Sequence, residues 1–213
     1  MPAELVIRGG TVIDGSGAPG RVADVTVTAG AIEEIGPGLH GQRELDATGC
    51  VVAPGFIDIH THYDAQVFWD PALRPSSYQG VTTVVAGNCG FTIAPTRPEH
   101  HDVIVQTLEN VEDMDGASLT EGIVWDFQTH PEYMDLVRSR GTVLNFACYV
   151  GHSSVRLFAM GDAAYERAAT PDEIDRMSGL VVEAIEAGAA GFSAPAPSVA
   201  TTAPDFSRRV RAG

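Results

Sequence analysis

The amino-acid sequence predicts an α/β fold: a partial (β/α) TIM-type barrel of about four βα units, preceded by a small antiparallel β unit. Three observations carry that expectation. Residues 1–50 consist of short β-branched runs broken by glycine turns. From Val51 onward, strands alternate with amphipathic helices, the order that builds a parallel sheet. Four such strands lie between residues 51 and 193, whereas a closed eight-stranded barrel takes about 250 residues.

The elements follow in order. Leu5-Val6-Ile7 and Thr11-Val12-Ile13 are strand runs on either side of Gly9-Gly10. The segment from Asp14 to Gly20 is a turn. Asp24 to Thr28 alternates polar and apolar residues, the period of a half-buried strand. Ala31 to Ile35 is another strand, closed by Gly36-Pro37-Gly38. Val51-Val52-Ala53 and Phe56 to Ile59 read as one strand interrupted by Pro54-Gly55. Val81 to Ala86 is a β-branched run of the kind found in buried parallel strands. Val103, Ile104, Leu108 and Val111 share one helical face. A second helix starts at Thr129, whose spacing to Glu132 is that of a capping box, and stops at Gly141. Thr142 to Val150 is the next strand. A third helix opens on Thr170, Pro171 and Glu173 and ends at Gly188, with Ile174, Met177, Val181, Ala184 and Ile185 on its apolar face. Ala189 to Ser193 is the last strand.

Composition excludes several functions. The 213 residues carry 13 basic and 28 acidic side chains, a formal charge of −15. Such a chain repels phosphate backbones and anionic membrane surfaces, so no nucleic-acid or membrane partner is expected. No apolar run approaches the roughly 18 residues of a spanning helix. The start, Met1-Pro2-Ala3-Glu4, has an acid where a signal peptide has positive charge. Three unpaired cysteines, Cys50, Cys89 and Cys148, point to a reducing, cytoplasmic setting. All 13 basic residues are arginine, so Walker, Schiff-base and metal-bridging lysines are excluded in this chain.

The densest chemical signal runs from Pro54 to Asp64 and contains His60-Thr61-His62. Residues two apart on a strand share a face, so both imidazoles can point at one cation. A bare pair of this kind is equally read as two half-buried histidines. Cys89 follows the Val81–Ala86 strand, between Gly87 and Gly90. It is either a metal-held thiolate or an inert thiol; Cys50 and Cys148 read as inert buried thiols. Asp64 either holds a ligand histidine by its second ring nitrogen or caps the turn. His152, on the same rim as Cys89, either meets substrate, orients a neighbour or packs. His40, His100, His101 and His130 read as surface residues. The ten acids from Glu99 to Asp135, with no base among them, read as a solvated face. Trp69 and Phe91 flank the expected mouth and read as packing.

Several stretches together resemble the amidohydrolase superfamily and, within it, the N-acyl-D-amino-acid deacylases (D-aminoacylases). They are Gly10 to Gly17, Asp46 to Gly49, His60 to Gln66, Trp69-Asp70-Pro71, Gly80 to Phe91, Arg97-Pro98-Glu99 and Gly151-His152. The resemblance covers residues 1 to about 193. It implies a metal-dependent hydrolase of non-peptide C–N bonds that uses Zn2+ and acts on small N-acyl-amino-acid substrates. His60 and His62 would take the more exposed metal position, and Cys89 would hold the tighter zinc in place of a carboxylated lysine. Residues 1–50 would then be part of an N-terminal β-sandwich, 51–193 the first half of the hydrolase barrel, and 194–213 a linker-like or disordered tail. The family's two later zinc histidines and its acid–base aspartate have no counterpart, since no histidine follows His152. No catalytic acid–base residue is therefore assigned. Activity of this chain alone is not expected, and self-association or pairing with a C-terminal half is. The alternatives are a non-catalytic remnant or interaction module, and a hydantoinase-like hydrolase of cyclic amides.

Overall fold

The computed structural model of the chain describes residues 2–195. The chain divides into two compact units, Met1–Gly55 and Phe56–Gly213.

The first unit is a sheet of β1 (Ala3–Val12), β2 (Arg21–Thr28), β3 (Ala31–Gly36), β4 (Gly41–Asp46) and β5 (Val51–Val52). Its order is β3-β2-β1-β4, with β5 also on β1. β1/β2 and β2/β3 are antiparallel, but β4 and β5 run parallel to β1. The expected antiparallel unit is therefore a mixed sheet. β4 escaped the sequence reading because Gly-Gln-Arg-Glu-Leu-Asp has one apolar residue and no alternation. Its backbone ladder to β1 decides it instead. β1 is also a single strand, kinked by a bulge between Ile7 and Gly10. Buried Asp24 pins that bulge, accepting from Gly9 N at 2.9 Å and from Leu39 N at 3.1 Å. These contacts hold its carboxyl below the usual carboxylate range. Val12, Ala23 and Val25 form the small core.

The second unit runs β6 (Phe56–Asp58), α1 (Tyr63–Gln66), β7 (Val81–Ala86), α2 (His101–Glu112), α3 (Gly116–Gly122), α4 (His130–Arg140), β8 (Asn145–Gly151), α5 (His152–Met160), α6 (Pro171–Glu186) and β9 (Gly191–Ser193). The strands pair in parallel in the order β6-β7-β8-β9. With helices between them they make a partial (β/α) TIM-type barrel, as expected. The run 51–59 is not one strand, however: Val51–Val52 pairs with β1, and Phe56–Asp58 opens the barrel sheet.

Both capping boxes form, Thr129 with Glu132 on α4 and Thr170 with Glu173 on α6. Gly141 caps α4 at a φ of 74°. α6 stops at Glu186, two residues before Gly188. Three helices lacked a sequence signal: the one-turn α1, α3 and α5. α3 begins on a glycine and is capped by Asp115, which accepts from Ser118 N. α5 follows β8 without a linker and has no side-chain cap.

The larger core joins Val84, Ala86 and Cys148 of the sheet to Leu108, Leu119, Tyr133 and Val137 of the helices. On α6 only part of the expected face is covered. Ala184 is buried, but Ile174 and Ile185 remain 49% and 44% exposed. Among the described residues, no helix is long and apolar enough to cross a membrane. The tail expected beyond residue 193 lies, from residue 196, outside the described residues.

Candidate metal centre

The site is built where β6 and β7 end. β6 stops at Asp58, so His60 and His62 stand in the turn that follows it, with His62 capping α1. Strand alternation therefore does not aim them; the turn does. Asp58 Oδ1 accepts from His60 N at 3.2 Å. Buried Thr61 donates through both its N–H and its hydroxyl to Val85 O, at 3.1 and 3.0 Å. Asn88 fastens the same corner, its amide donating to Thr61 O at 3.2 Å and Val85 O at 2.9 Å. With Thr61 held inward, the two histidines stand side by side, ring centroids 5.7 Å apart.

Cys89 arrives on a loop that only particular residues can form. Gly87 and Gly90 take φ of 77° and 81°. A Cβ on Gly87 would lie 2.6 Å from Tyr149 O, so the loop needs glycine for space as well as for conformation. Cys89 itself sits at φ 58°, a left-handed conformation that costs a non-glycine about 1 kcal/mol. Ser193 of β9 bridges the loop. Its hydroxyl donates to Gly87 O at 2.5 Å and accepts from Gly90 N at 3.2 Å. Just beyond, Thr92 and Ser154 lock together: Thr92 N donates to Ser154 Oγ at 3.2 Å, and the Ser154 hydroxyl donates to Thr92 O.

These constraints bring three donors together. His60 Nε2 lies 3.1 Å from Cys89 Sγ. One donor atom each from His60, His62 and Cys89 falls within 4.8 Å of the others. His62 Nε2 is also 3.1 Å from Glu112 Oε2, at the end of α2. Burial pushes the His62 pKa down while Glu112 pulls it back up. Burial, reinforced by Glu112, pushes the Cys89 thiol up. Glu112 was missed in the sequence, where it belonged to the acidic run. A signal was present: Ile104, Leu108 and Glu112 are four apart, so the buried stripe of α2 continues into a carboxylate.

The other expected residues fall differently. Asp64 is buried and accepts from Ile93 N at 3.1 Å rather than from a histidine. Burial pushes its pKa up to about 6. His152 opens α5, and its ring stands nearly perpendicular to that of Phe192, centroids 6.2 Å apart. It lies outside the three-donor group and lines a cavity of about 410 Å3 with Phe91, Ile104, Leu108 and Leu157.

Three of the four histidines read as surface residues are not. His100 and His130 are 7% and 2% exposed, and His101 stacks on Trp125 with centroids 3.9 Å apart. Each stands at a helix start within three residues of a proline, Pro98 or Pro131, where sequence pattern shows only a polar residue. His40 is exposed. Cys148 is buried as expected, whereas Cys50 is exposed.

Comparison with known proteins identifies the family. Residues 43–210 match the amidohydrolase family. The D-aminoacylase of Alcaligenes xylosoxydans xylosoxydans is 40% identical over 195 residues, 91% of this chain and 38% of that protein. The N-acyl-D-aspartate deacylase of the same organism is 37% identical over 193 residues, 90% of this chain and 36% of its own. The crystal structure of N-acyl-D-glutamate deacylase from Bordetella bronchiseptica, complexed with zinc and a phosphonate inhibitor, superposes with a TM-score of 0.77 at 34% identity. That match covers 100% of this chain and 43% of the crystallised one. The chain thus spans less than half the length of these relatives. On the family match and these shared folds, the chain belongs to the amidohydrolase family.

Proposed function

We propose that this chain carries the first part of a zinc-dependent amide-hydrolase site for N-acyl-D-amino acids. The observation that carries the reading is the group His60, His62 and Cys89, with one donor atom from each inside 4.8 Å. The donor set fits zinc. Two imidazoles and a thiolate are borderline and soft ligands of the type zinc prefers. Bond lengths of about 2.0–2.1 Å to nitrogen and 2.3 Å to sulfur put neighbouring ligands of a tetrahedral ion about 3.4–3.6 Å apart. The 3.1 Å between His60 Nε2 and Cys89 Sγ needs only a small opening to reach that spacing.

Bound there, zinc supplies Lewis-acid polarisation of an amide carbonyl and a lowered pKa for water. The chain's own residues do the positioning. Cys89 is held by the Gly87–Gly90 loop and Ser193. His60 and His62 are held by Thr61 and Asn88. The 410 Å3 cavity begins two residues from Cys89, at Phe91, and falls within the usual ligand-pocket range. Its lining suits an apolar acyl group or side chain. Two arginines stand at its wall: Arg156 donates to Ala164 O and Arg167 O, and Arg167 donates to Ala168 O and the Glu173 carboxylate.

The relatives' names supply the substrate class, D-amino acids with an N-acyl group. The resemblance places the acid–base aspartate and two more histidines beyond the four strands described here. The test is to purify the 213-residue chain with zinc and measure acetate release from an N-acetyl-D-amino acid. The assay is run with and without a co-expressed segment carrying the later strands. The expected result is turnover only with that segment, because proton transfer alone is worth about 10²–10⁴-fold. Efficient zinc-dependent turnover by the lone chain would overturn the division of the site.

A further inference from the structure

We infer that Glu112 is a member of the cation site, a carboxylate that α2 delivers to the same cation as His62. The inference rests on the proposed zinc reading and goes beyond its ligand set.

The argument starts from His62. Its Nδ1 is buried without a partner, so Nε2 makes the ring's one polar contact, to Glu112 Oε2 at 3.1 Å. The His62 Nε2–H donates its proton to that carboxylate oxygen. A divalent cation can take its place, since 3.1 Å is close to the roughly 3.4 Å between a nitrogen and an oxygen ligand of one tetrahedral ion. The contact is sheltered, with the His62 and Glu112 side chains only 15% and 18% exposed.

Charge points the same way. Of the three grouped donors only the Cys89 thiolate brings negative charge, and a half-buried divalent charge is costly unless paired. Glu112 adds a second negative charge beside His62. The helix is also built for delivery. Ile104 and Leu108 of the same stripe are buried in the core, which fixes the helix, and the stripe turns polar only where it meets His62. Asp113, at φ 56°, then turns the chain away. An ordinary surface ion pair would need neither the anchoring stripe nor the shelter.

Glu112→Gln is the main variant, because it keeps the shape and a hydrogen-bond acceptor while removing the charge. Glu109→Gln, an exposed acid on the same helix, controls for general electrostatics. Zinc affinity is measured by calorimetry, the cobalt-substituted site by its absorption, and the metal-free melting temperature in parallel. The expected result is a loss of zinc affinity of 10-fold or more in Glu112→Gln and a changed cobalt spectrum. The metal-free melting temperature is unchanged, and Glu109→Gln binds like the unmodified chain.

If Glu112→Gln binds zinc within twofold of the unmodified chain, the inference is overturned while the three-ligand site stands. An equal loss in Glu109→Gln overturns it as well. If the unmodified chain binds neither zinc nor cobalt, the zinc reading itself falls. Should Glu112→Gln fold poorly, Glu112→Asp decides. It keeps the charge but shortens the reach by one methylene, so weakened zinc binding with a normal melting temperature supports the inference, and full affinity overturns it.

Discussion

The middle of the parallel sheet and its two flanks are built on different terms. Along β7 and β8, Val84, Ala86, Cys148 and Val150 are 0–1% exposed, and the loops at their ends are tied by buried hydroxyls and amides. At the flanks the same unit leaves large apolar side chains in the open. Phe56, Ile57 and Ile59 of the β6 segment are 69%, 62% and 69% exposed, and Phe192 of β9 is 46% exposed. The three gathered donors hang from the tied corner of β6 and β7, not from the open faces. Precise side-chain geometry therefore coincides with closed packing, while the flanks carry surface suited to a further layer of chain.

The sharpest way to break the middle is Gly87→Ala. A left-handed φ costs about 1–2 kcal/mol, and a Cβ 2.6 Å from Tyr149 O adds an overpacking cost of about 1–3 kcal/mol. The expected loss is about 4 kcal/mol in denaturant unfolding. Gly38→Ala, also at positive φ but in open space, should lose only about 1 kcal/mol. Equal losses would show that conformation alone, not the close approach to β8, makes Gly87 necessary.

Acid probes the same region through His130. The ring donates through Nε2 to Tyr149 O at 3.3 Å, and its buried Nδ1 has no partner to receive a second N–H. Burial pushes its pKa from 6.5 down to about 4. The unfolded chain therefore binds the proton first as pH falls. The stability His130 contributes is complete above pH 6.5 and is lost as pH falls toward 4. The shift corresponds to at most about 3 kcal/mol. Comparing Asn- or Gln-substituted chains (His130→Asn, His130→Gln) with the unmodified one at pH 7 and pH 4.5 isolates the effect. An identical pH dependence in all three would remove His130 from the account.

Cys89→Gly separates function from stability within the middle. Removing the thiol should weaken zinc binding by at least 100-fold, about 2.7 kcal/mol. Relieving the left-handed cysteine should raise stability by about 1 kcal/mol. A destabilised variant would mean that the side chain packs rather than waits for a cation.

The smallest effect is expected at the flank. Phe56→Ser or Ile59→Ser should change unfolding free energy by no more than about 0.5 kcal/mol, the usual range for exposed positions. Each should nevertheless raise the monomer fraction in sedimentation. Unchanged association would show that the open faces are inert.

Much of this was legible in the residues. The four parallel strands, both capping boxes and the separation of the two histidines from Cys89 by one strand follow from local patterns, because periodicity and capping are local physics. α5 and β4 were not legible. α5 has no capping side chain, and β4 is a strand only because β1 lies beside it. Glu112 was lost among nine other acids, although its four-residue spacing from Leu108 marked it.

The sequence by itself determined which chemistry is available. It carries His60, His62 and Cys89 at the ends of adjacent strands, no lysine, and glycines at the loop that needs them. Tertiary structure alone decided where those groups point. The histidines are aimed by the hydrogen bonds of Thr61 and Asn88 rather than by strand alternation, and Cys89 is held left-handed by contacts from Ser193, more than one hundred residues away. Asp64, His130 and Glu112 acquire their contacts and burial only from what is packed against them. The reason is physical: a side chain's type is local, but its partners, its burial and hence its proton affinity come from elements distant in the chain.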